Sequence, residues 1–453
     1  MKWSKKAVSI MLSLAMVITT LSLPLPSVKA ETQAMEPETK ATNARTIFIA
    51  GKEGSGDYDP SMGYYGQNWY YNDGYTELSD GQTVWQDHGQ NMDNNAKAKF
   101  TYGETWSILE LDGYQTYGTA GYLFLKGLAQ DRYFYGIYYD GNLEIILKDE
   151  NMIEAYNTDT LDCLYGIYVT GDLLIISETG DHKGSLDINM HGNKNETVRG
   201  LEYGIYCGGK FMVAGSGDYP RIDAKVGAVT GALSSSIGVQ SCGIHCKTYS
   251  QTGGKVTGRT DKVKWSYGVA ASNITVSGGT LIGKGLAPEG DTTYGIRARG
   301  NINVSGGRVI GQAGDNETQA DRVYGIYIDG GESVFSGGEV LGQAYKANLG
   351  CGIQTGGFTL PDYSDATVTG LGSACAKDYN YGIRVYGEGE AASVTISGGN
   401  VHAVGGETSD SYGKAYGMYV YNANLTIDQT GVLSATAGDS HGSYGLYVSS
   451  LEV

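Results

Sequence analysis

The chain has 453 residues, with 32 Lys and Arg against 49 Asp and Glu, a net charge of −17 at pH 7, and 70 glycines. An acid excess of this size argues against nucleic acid and anionic membranes as partners, because both repel it. Seven prolines are too few for a low-complexity linker chain, so the glycines must have structural places.

Residues 1–30 carry Lys2, Lys5 and Lys6, an apolar run from Ala7 to Leu23, then Pro24, Pro26 and Val28-Lys29-Ala30. Basic, apolar and small-residue parts in this order predict a secretory signal peptide cleaved after Ala30. Cleavage removes four Lys and no acid, leaving 28 basic against 49 acidic side chains and a net charge of −21. The expectation is a secreted or cell-surface protein with no transmembrane segment once the signal is gone, since no later stretch is apolar enough to span a bilayer.

Residues 31–45 are polar and read as a linker. Residues 46–130 read as an N-terminal β-rich region. It starts at Thr46-Ile47-Phe48-Ile49 and is crowded with aromatics at Tyr58, Tyr64, Tyr65, Trp69, Tyr70, Tyr71 and Tyr75. Strands are predicted at Trp106–Leu111 and Tyr122–Leu125. The aromatic cluster suits either sugar stacking or a cap over an open strand edge, and the cap is favoured because an uncapped stack would expose edges and core.

From about residue 131 a short motif repeats. Its glycines are Gly136, Gly166, Gly204, Gly243, Gly268, Gly295, Gly325, Gly352, Gly382, Gly417 and Gly445, with Tyr (or Cys, at 242 and 351) before and Ile, Val, Met or Leu after. Eleven copies over 309 residues give a mean period of about 31, with steps from 25 to 39. We number the coils 1–11 by these glycines. The clearest unit is Tyr294–Gly300, Asn301–Gly307, then Arg308-Val309-Ile310-Gly311. Its pieces alternate apolar and polar and end at Gly or Ser-Gly-Gly, the pattern of short strands between turns. Three strands per repeat predict an all-β fold, a parallel β-helix of about eleven coils, because a single coil cannot bury its apolar side alone. A β-propeller blade needs about 40–50 residues, and this period is too short.

Alternation assigns faces. Positions +1 and +3 from the motif glycine read as inward, and position +2 as outward to solvent. Position +2 holds Tyr138, Tyr168, Tyr206, His245, Ala270, Arg297, Tyr327, Gln354, Arg384, Tyr419 and Tyr447. Strands about 4.8 Å apart would line these side chains into a ladder. We take Tyr138, Tyr168, Tyr206, Arg297, Tyr327, Arg384, Tyr419 and Tyr447 as the candidate ligand-binding column, on the ground that flat rings and guanidinium groups suit sugars. The plainer alternative is that Tyr tolerates exposed strand positions well. The loops before each motif are acidic (Asp291; Asp315-Asn316-Glu317; Glu407 to Asp410), and Asp315, Asn316 and Glu317 are the candidate Ca²⁺ ligands, although no EF-hand spacing is present. Six cysteines show no zinc spacing. Cys207 and Cys246 fall at inward position +3 of consecutive coils, so they form either a buried thiol pair or a disulfide.

The chain stops after Ser450-Leu451-Glu452-Val453, one piece short of a Ser-Gly-Gly turn, which predicts an incomplete last repeat and a cell-wall attachment, if any, in a missing C-terminal region.

The Tyr-Gly-Ile-x-x-x-Gly-x-Ile-x-Val-Ser-Gly-Gly pattern of residues 294–307 resembles the repeats of large secreted proteins of clostridia-like bacteria. So does the lead-in Trp106–Tyr114 followed by Tyr135-Gly136-Ile137. The resemblance covers about residues 100–453. It implies a right-handed parallel β-helix akin in shape to pectate lyases, and non-catalytic polysaccharide binding, with Ca²⁺ in some members. Enzyme signatures do not stand out: there is no Gly-x-Ser-x-Gly, no P-loop, no zinc motif, and His88-Gly89, His191-Gly192 and His441-Gly442 lack a preceding Gly. The sequence thus points to a secreted or surface polysaccharide-binding or adhesive module. A ligand-free structural stalk and a polysaccharide lyase or hydrolase are the alternatives.

Overall fold

The computed structural model describes residues 46–50, 75–86, 96–120, 133–157, 163–178, 183–192, 201–228, 240–261, 265–286, 292–330, 332–373, 375–387, 392–428 and 430–452. Strands in these segments pair in parallel with their counterparts one coil away, building a parallel β-helix. Each coil contributes to three faces. The motif face runs, for example, from Tyr133–Tyr139 through Cys163–Val169 to Thr292–Ala298 and Ala320–Ile328. The second face includes Leu143–Lys148 and Leu173–Ser177, and the third includes Glu150–Asn157, Ser185–Gly192 and Arg221–Ala228. Often two faces are made by one continuous strand, as in Trp265–Val276 or Ile302–Ala313.

The register repeats residue for residue. Tyr294 pairs with Tyr324, Ile296 with Ile326 and Arg297 with Tyr327. Consequently the apolar residues at +1 form one uninterrupted inner column. From Ile137 to Met418 each is at most 2% exposed. Leu109, Ile145 and Ile175 on the second face, and Val309 and Val340 on the third, complete the interior. Burying these columns is the main driving force for stacking, at about 1.5–3 kcal/mol for each fully buried Val, Leu or Ile.

Two kinds of glycine make the coil close. The second Gly of the Ser-Gly-Gly turn adopts the left-handed conformation, with φ of 76° at Gly279 and 74° at Gly307. The motif glycine serves another purpose. It points inward onto backbone: a Cβ on Gly325 would lie 2.7 Å from the Gly342 carbonyl carbon of the third face and 2.6 Å from Gly352 O of the next motif strand. Motif and third faces therefore approach backbone to backbone, and only Gly fits between them.

The N-terminal edge is covered. Thr46–Ala50 pairs antiparallel with the first motif strand, placing Phe48 opposite Tyr138 and Ile49 opposite Ile137. Ala96–Thr101 pairs antiparallel with Ser107–Asp112, which itself stacks in parallel on Leu143–Lys148. Parallel stacking thus begins near residue 107, ahead of the first motif glycine, and the antiparallel strands satisfy edges that would otherwise recruit other chains. The aromatic residues 58–71 and the strand expected at 122–125 lie outside the described residues. Among the described residues, no helix is long and apolar enough to cross a membrane.

Candidate functional site

The tyrosine column exists, and it is not the open surface that alternation predicts. Strict alternation fails at the motif glycine. Gly and the residue after it both face inward, and the interstrand pairing skips the glycine in coil after coil. The side chains at −1 and +2 consequently both leave the helix on its outer side and meet. Tyr135 lies edge-on to Tyr138 at 5.2 Å, Tyr165 to Tyr168 at 5.0 Å and Tyr324 to Tyr327 at 5.0 Å between ring centres.

Two ladders result. In the −1 column, Tyr135, Tyr165 and Tyr203 stack at 5.2 and 5.4 Å, and Tyr267, Tyr294 and Tyr324 at 5.1 and 5.3 Å. In the +2 column, Tyr138, Tyr168, Tyr206 and His245 stack at 5.6, 4.8 and 5.3 Å. These rings bury one another. Tyr138 and Tyr168 are buried, at 3% and 7% exposure, which corrects the expectation that they face solvent. Tyr206, Arg297, Tyr327, Arg384 and Tyr419 are half-buried. Tyr447 is 40% exposed, and it lies in the last described coil. A ring stacked on both sides, as Tyr168 and Tyr206 are, has no free face for a sugar.

Burial also fixes the chemistry of these groups. It pushes the Tyr138 hydroxyl up to about 12, with Asp140 adding to the effect, and the Tyr165 and Tyr203 hydroxyls well above their usual value. They stay protonated at neutral pH and are poor nucleophiles. His245 is held neutral, its pKa lowered to about 4 by burial against Tyr203 and Tyr206.

A group of outward aromatics lies on coils 9 and 10; the most exposed single rings, Tyr412 and Tyr363, stand apart from the motif strands. Tyr379 (43% exposed), Tyr386 (40%) and Tyr421 (38%) project from the motif face beside the ladders. Tyr386 and Tyr421 are register partners whose rings stack at 5.9 Å. On the coil before, Thr355 pairs with Val385, so Gly356 follows in the place of Tyr386. On the coil after, Val448 pairs with Val420, so Ser449 follows in the place of Tyr421. Along the column the pair is flanked by these small residues, while Tyr419 of the same strand lies parallel to Tyr421 at 6.1 Å. Sequence reading missed Tyr379, three residues before its motif glycine, and Tyr386 and Tyr421, four after theirs, because it weighed only positions −1 to +3. Continuing the alternation to +4 would have found Tyr386 and Tyr421.

Arg384 sits against this surface. Its guanidinium carbon is 5.3 Å from the Tyr381 ring centre and 5.6 Å from that of Tyr386, a cation–π arrangement. Its Nη1 donates to Gln354 Oε1 at 3.1 Å. Arg297, in the same column, lies over Tyr267 and Tyr294 and donates from Nε and Nη2 to Asp329 Oδ2 at 3.3 and 3.1 Å.

The remaining sequence candidates have local roles. Asp315 accepts hydrogen bonds from the backbone N–H groups of Glu317 and Thr318, closing its own turn, while Asn316 and Glu317 are exposed. Among the described residues, no three His, Cys, Asp or Glu converge on a metal position. Cys207 and Cys246 are register partners, buried, and free thiols. Burial pushes the Cys207 thiol up to about 12 and that of Cys246 well up. No family model matches the chain, and no curated protein or solved structure matches it.

Proposed function

We propose that this protein is a non-catalytic polysaccharide-binding β-helix that acts outside the cell, with sugar rings docking on Tyr379, Tyr386 and Tyr421. The observation that carries the reading is the partly exposed pair Tyr386 and Tyr421, stacked on each other with Arg384 over Tyr386 and Tyr419 parallel to Tyr421, and flanked along the column by Gly356 and Ser449. Aromatic faces held on a fixed scaffold present large contact area at low entropic cost. The export signal expected over residues 1–30 supports this reading, since export would bring the chain to where polysaccharides are met. The test is retention of the chain lacking residues 1–30 on insoluble cellulose, pectate and mucin, with product release assayed in parallel. Retention without release supports the reading. Failure to be retained on any of a broad set of polysaccharides removes it, and release of reducing ends or unsaturated sugars replaces it with an enzyme.

A second reading has its own support. The long ladders use both faces of their rings on one another, which stiffens the helix and offers nothing to a ligand. A chain with no ligand at coils 9 and 10 would be a structural spacer, its eleven coils spanning about 50 Å at the interstrand distance.

A further inference from the structure

Two arginines occupy the same outer column, and only one has an anion. Arg297 of coil 6 is closed by Asp329, which stands at position +4 of coil 7. For Arg384 of coil 9, the equivalent position on coil 10 is Tyr421. The built-in carboxylate is replaced by an aromatic ring. Nothing else takes its place among the described residues: Arg384 has no acid partner, its Nη1 goes to the neutral Gln354, and its Nε is buried without any acceptor. The neighbours that surround it are the rings of Tyr381 and Tyr386.

A guanidinium drawn out of water and left without a counter-charge is costly, because the cation–π contacts recover only part of its lost hydration. The cost is met when an anion arrives from outside. The edge left open is Nε with Nη2, the same edge that Arg297 offers to Asp329 and Arg308 offers to Glu339. This fork matches the two oxygens of a carboxylate. Tyr386, which stands over the guanidinium, is 40% exposed, so access calls for a side-chain rotation and not a backbone movement.

We propose that Arg384 is an anion-binding subsite, and that the sugar bound at this face carries a carboxylate. The uronate carboxylate takes the position that Asp329 takes beside Arg297, while its ring lies against Tyr386 and Tyr421. The inference rests on the glycan-binding reading above and narrows its ligand to acidic sugars. The chain's net charge of −17 adds a restriction. It repels densely charged polyanions at long range, so the subsite suits isolated or spaced carboxylates.

The experiment is a calorimetric titration with matched trisaccharides: glucuronate, galacturonate and mannuronate trimers, their neutral hexose counterparts, and the 6-sulfated hexose forms. Three proteins are compared: the wild type, Arg384→Gln, and Tyr421→Asp, which installs the internal carboxylate seen at Asp329. The expected result is that at least one uronate binds about ten- to hundredfold more tightly than its neutral counterpart, the scale of a charge-assisted hydrogen bond to a buried group. Both variants should lose that preference, and Tyr421→Asp should do so while melting at or above the wild-type temperature. Preference for the sulfated forms would overturn the carboxylate assignment. Equal binding of uronate and neutral sugars would overturn the subsite and leave the glycan-binding face standing. No binding to any sugar would overturn both. Should Arg384→Gln fail to fold, retention of uronate preference in Tyr421→Asp alone overturns the proposal.

Discussion

Replacing Gly325 by alanine tests the packing that makes the coils close. The new Cβ would sit 2.6 Å from Gly352 O and 2.7 Å from the Gly342 carbonyl carbon, and closer still to the Gln343 nitrogen. All three neighbours are backbone atoms of adjoining strands, and Cβ atoms essentially never come within 3.0 Å of another heavy atom. The motif and third faces must therefore separate locally by at least 0.3 Å, the shortfall at the Gly342 carbonyl carbon, and the motif strands of coils 7 and 8 must also give at Gly352 O, across ladders that are hydrogen-bonded on both sides. Overpacking of this kind costs about 1–3 kcal/mol, occasionally more. Gly330, five residues on, is the control, since a Cβ there meets nothing within 4 Å. Gly330→Ala should be neutral or stabilise by up to about 1 kcal/mol through the unfolded chain. Because stacked repeats can open in parts, the assay is amide hydrogen exchange at coils 7 and 8 alongside urea unfolding. Faster exchange around Gln343 and Gly352 in Gly325→Ala only, with an earlier unfolding midpoint, is expected. Indistinguishable behaviour of the two variants would refute the backbone-contact argument.

Three further expectations concern the ladders and thiols. Tyr294→Ala removes two stacked contacts and one edge contact, and should destabilise by about 1.5–4.5 kcal/mol, whereas Tyr421→Ala removes two stacked contacts and should cost about 1–3 kcal/mol by thermal or urea unfolding. Neutral His245 is favoured by folding, its pKa falling from 6.5 to about 4, so its contribution is full above pH 6.5 and is lost as pH falls toward 4. His245→Phe keeps the stack on Tyr206 and should flatten the stability–pH curve in that window by up to about 3 kcal/mol, read from urea midpoints at stepped pH. Cys207 and Cys246 should resist alkylation at neutral pH in the native protein and react fully in guanidinium, as followed by mass spectrometry; rapid native labelling would contradict their burial.

The parallel stack was legible because its signal is redundant. One motif recurs eleven times, and the +1 column is apolar in every copy, so no single residue decides the fold. The inward columns at +1 and +3 follow directly from alternation. The outer surface was harder to read, for a physical reason. The motif glycine breaks the period-two pattern by facing inward beside the equally inward +1 residue, and this brings Tyr135 against Tyr138 and Tyr324 against Tyr327. Alternation alone says which side a residue leaves from, not whether its neighbours cover it. Tyr138 and Tyr168 are on the outer side, as expected, and are still buried. Arg297 illustrates the same limit: its partner Asp329 lies at +4 of the next coil, a relation that needs the interstrand register. The partial exposure of Tyr386 and Tyr421 likewise depends on what stands on the coils before and after.

The measurement that bears most directly on the glycan-binding face compares ladder and face tyrosines on one polysaccharide. Affinity for the best-retained polysaccharide would be measured for the wild type, the Tyr386→Ala/Tyr421→Ala double variant and Tyr206→Ala. The account predicts that the double variant still folds but loses at least about tenfold in affinity, the scale of one or two ring-stacking contacts, while Tyr206→Ala is less stable and binds normally once folded. Undiminished binding by the double variant would contradict it.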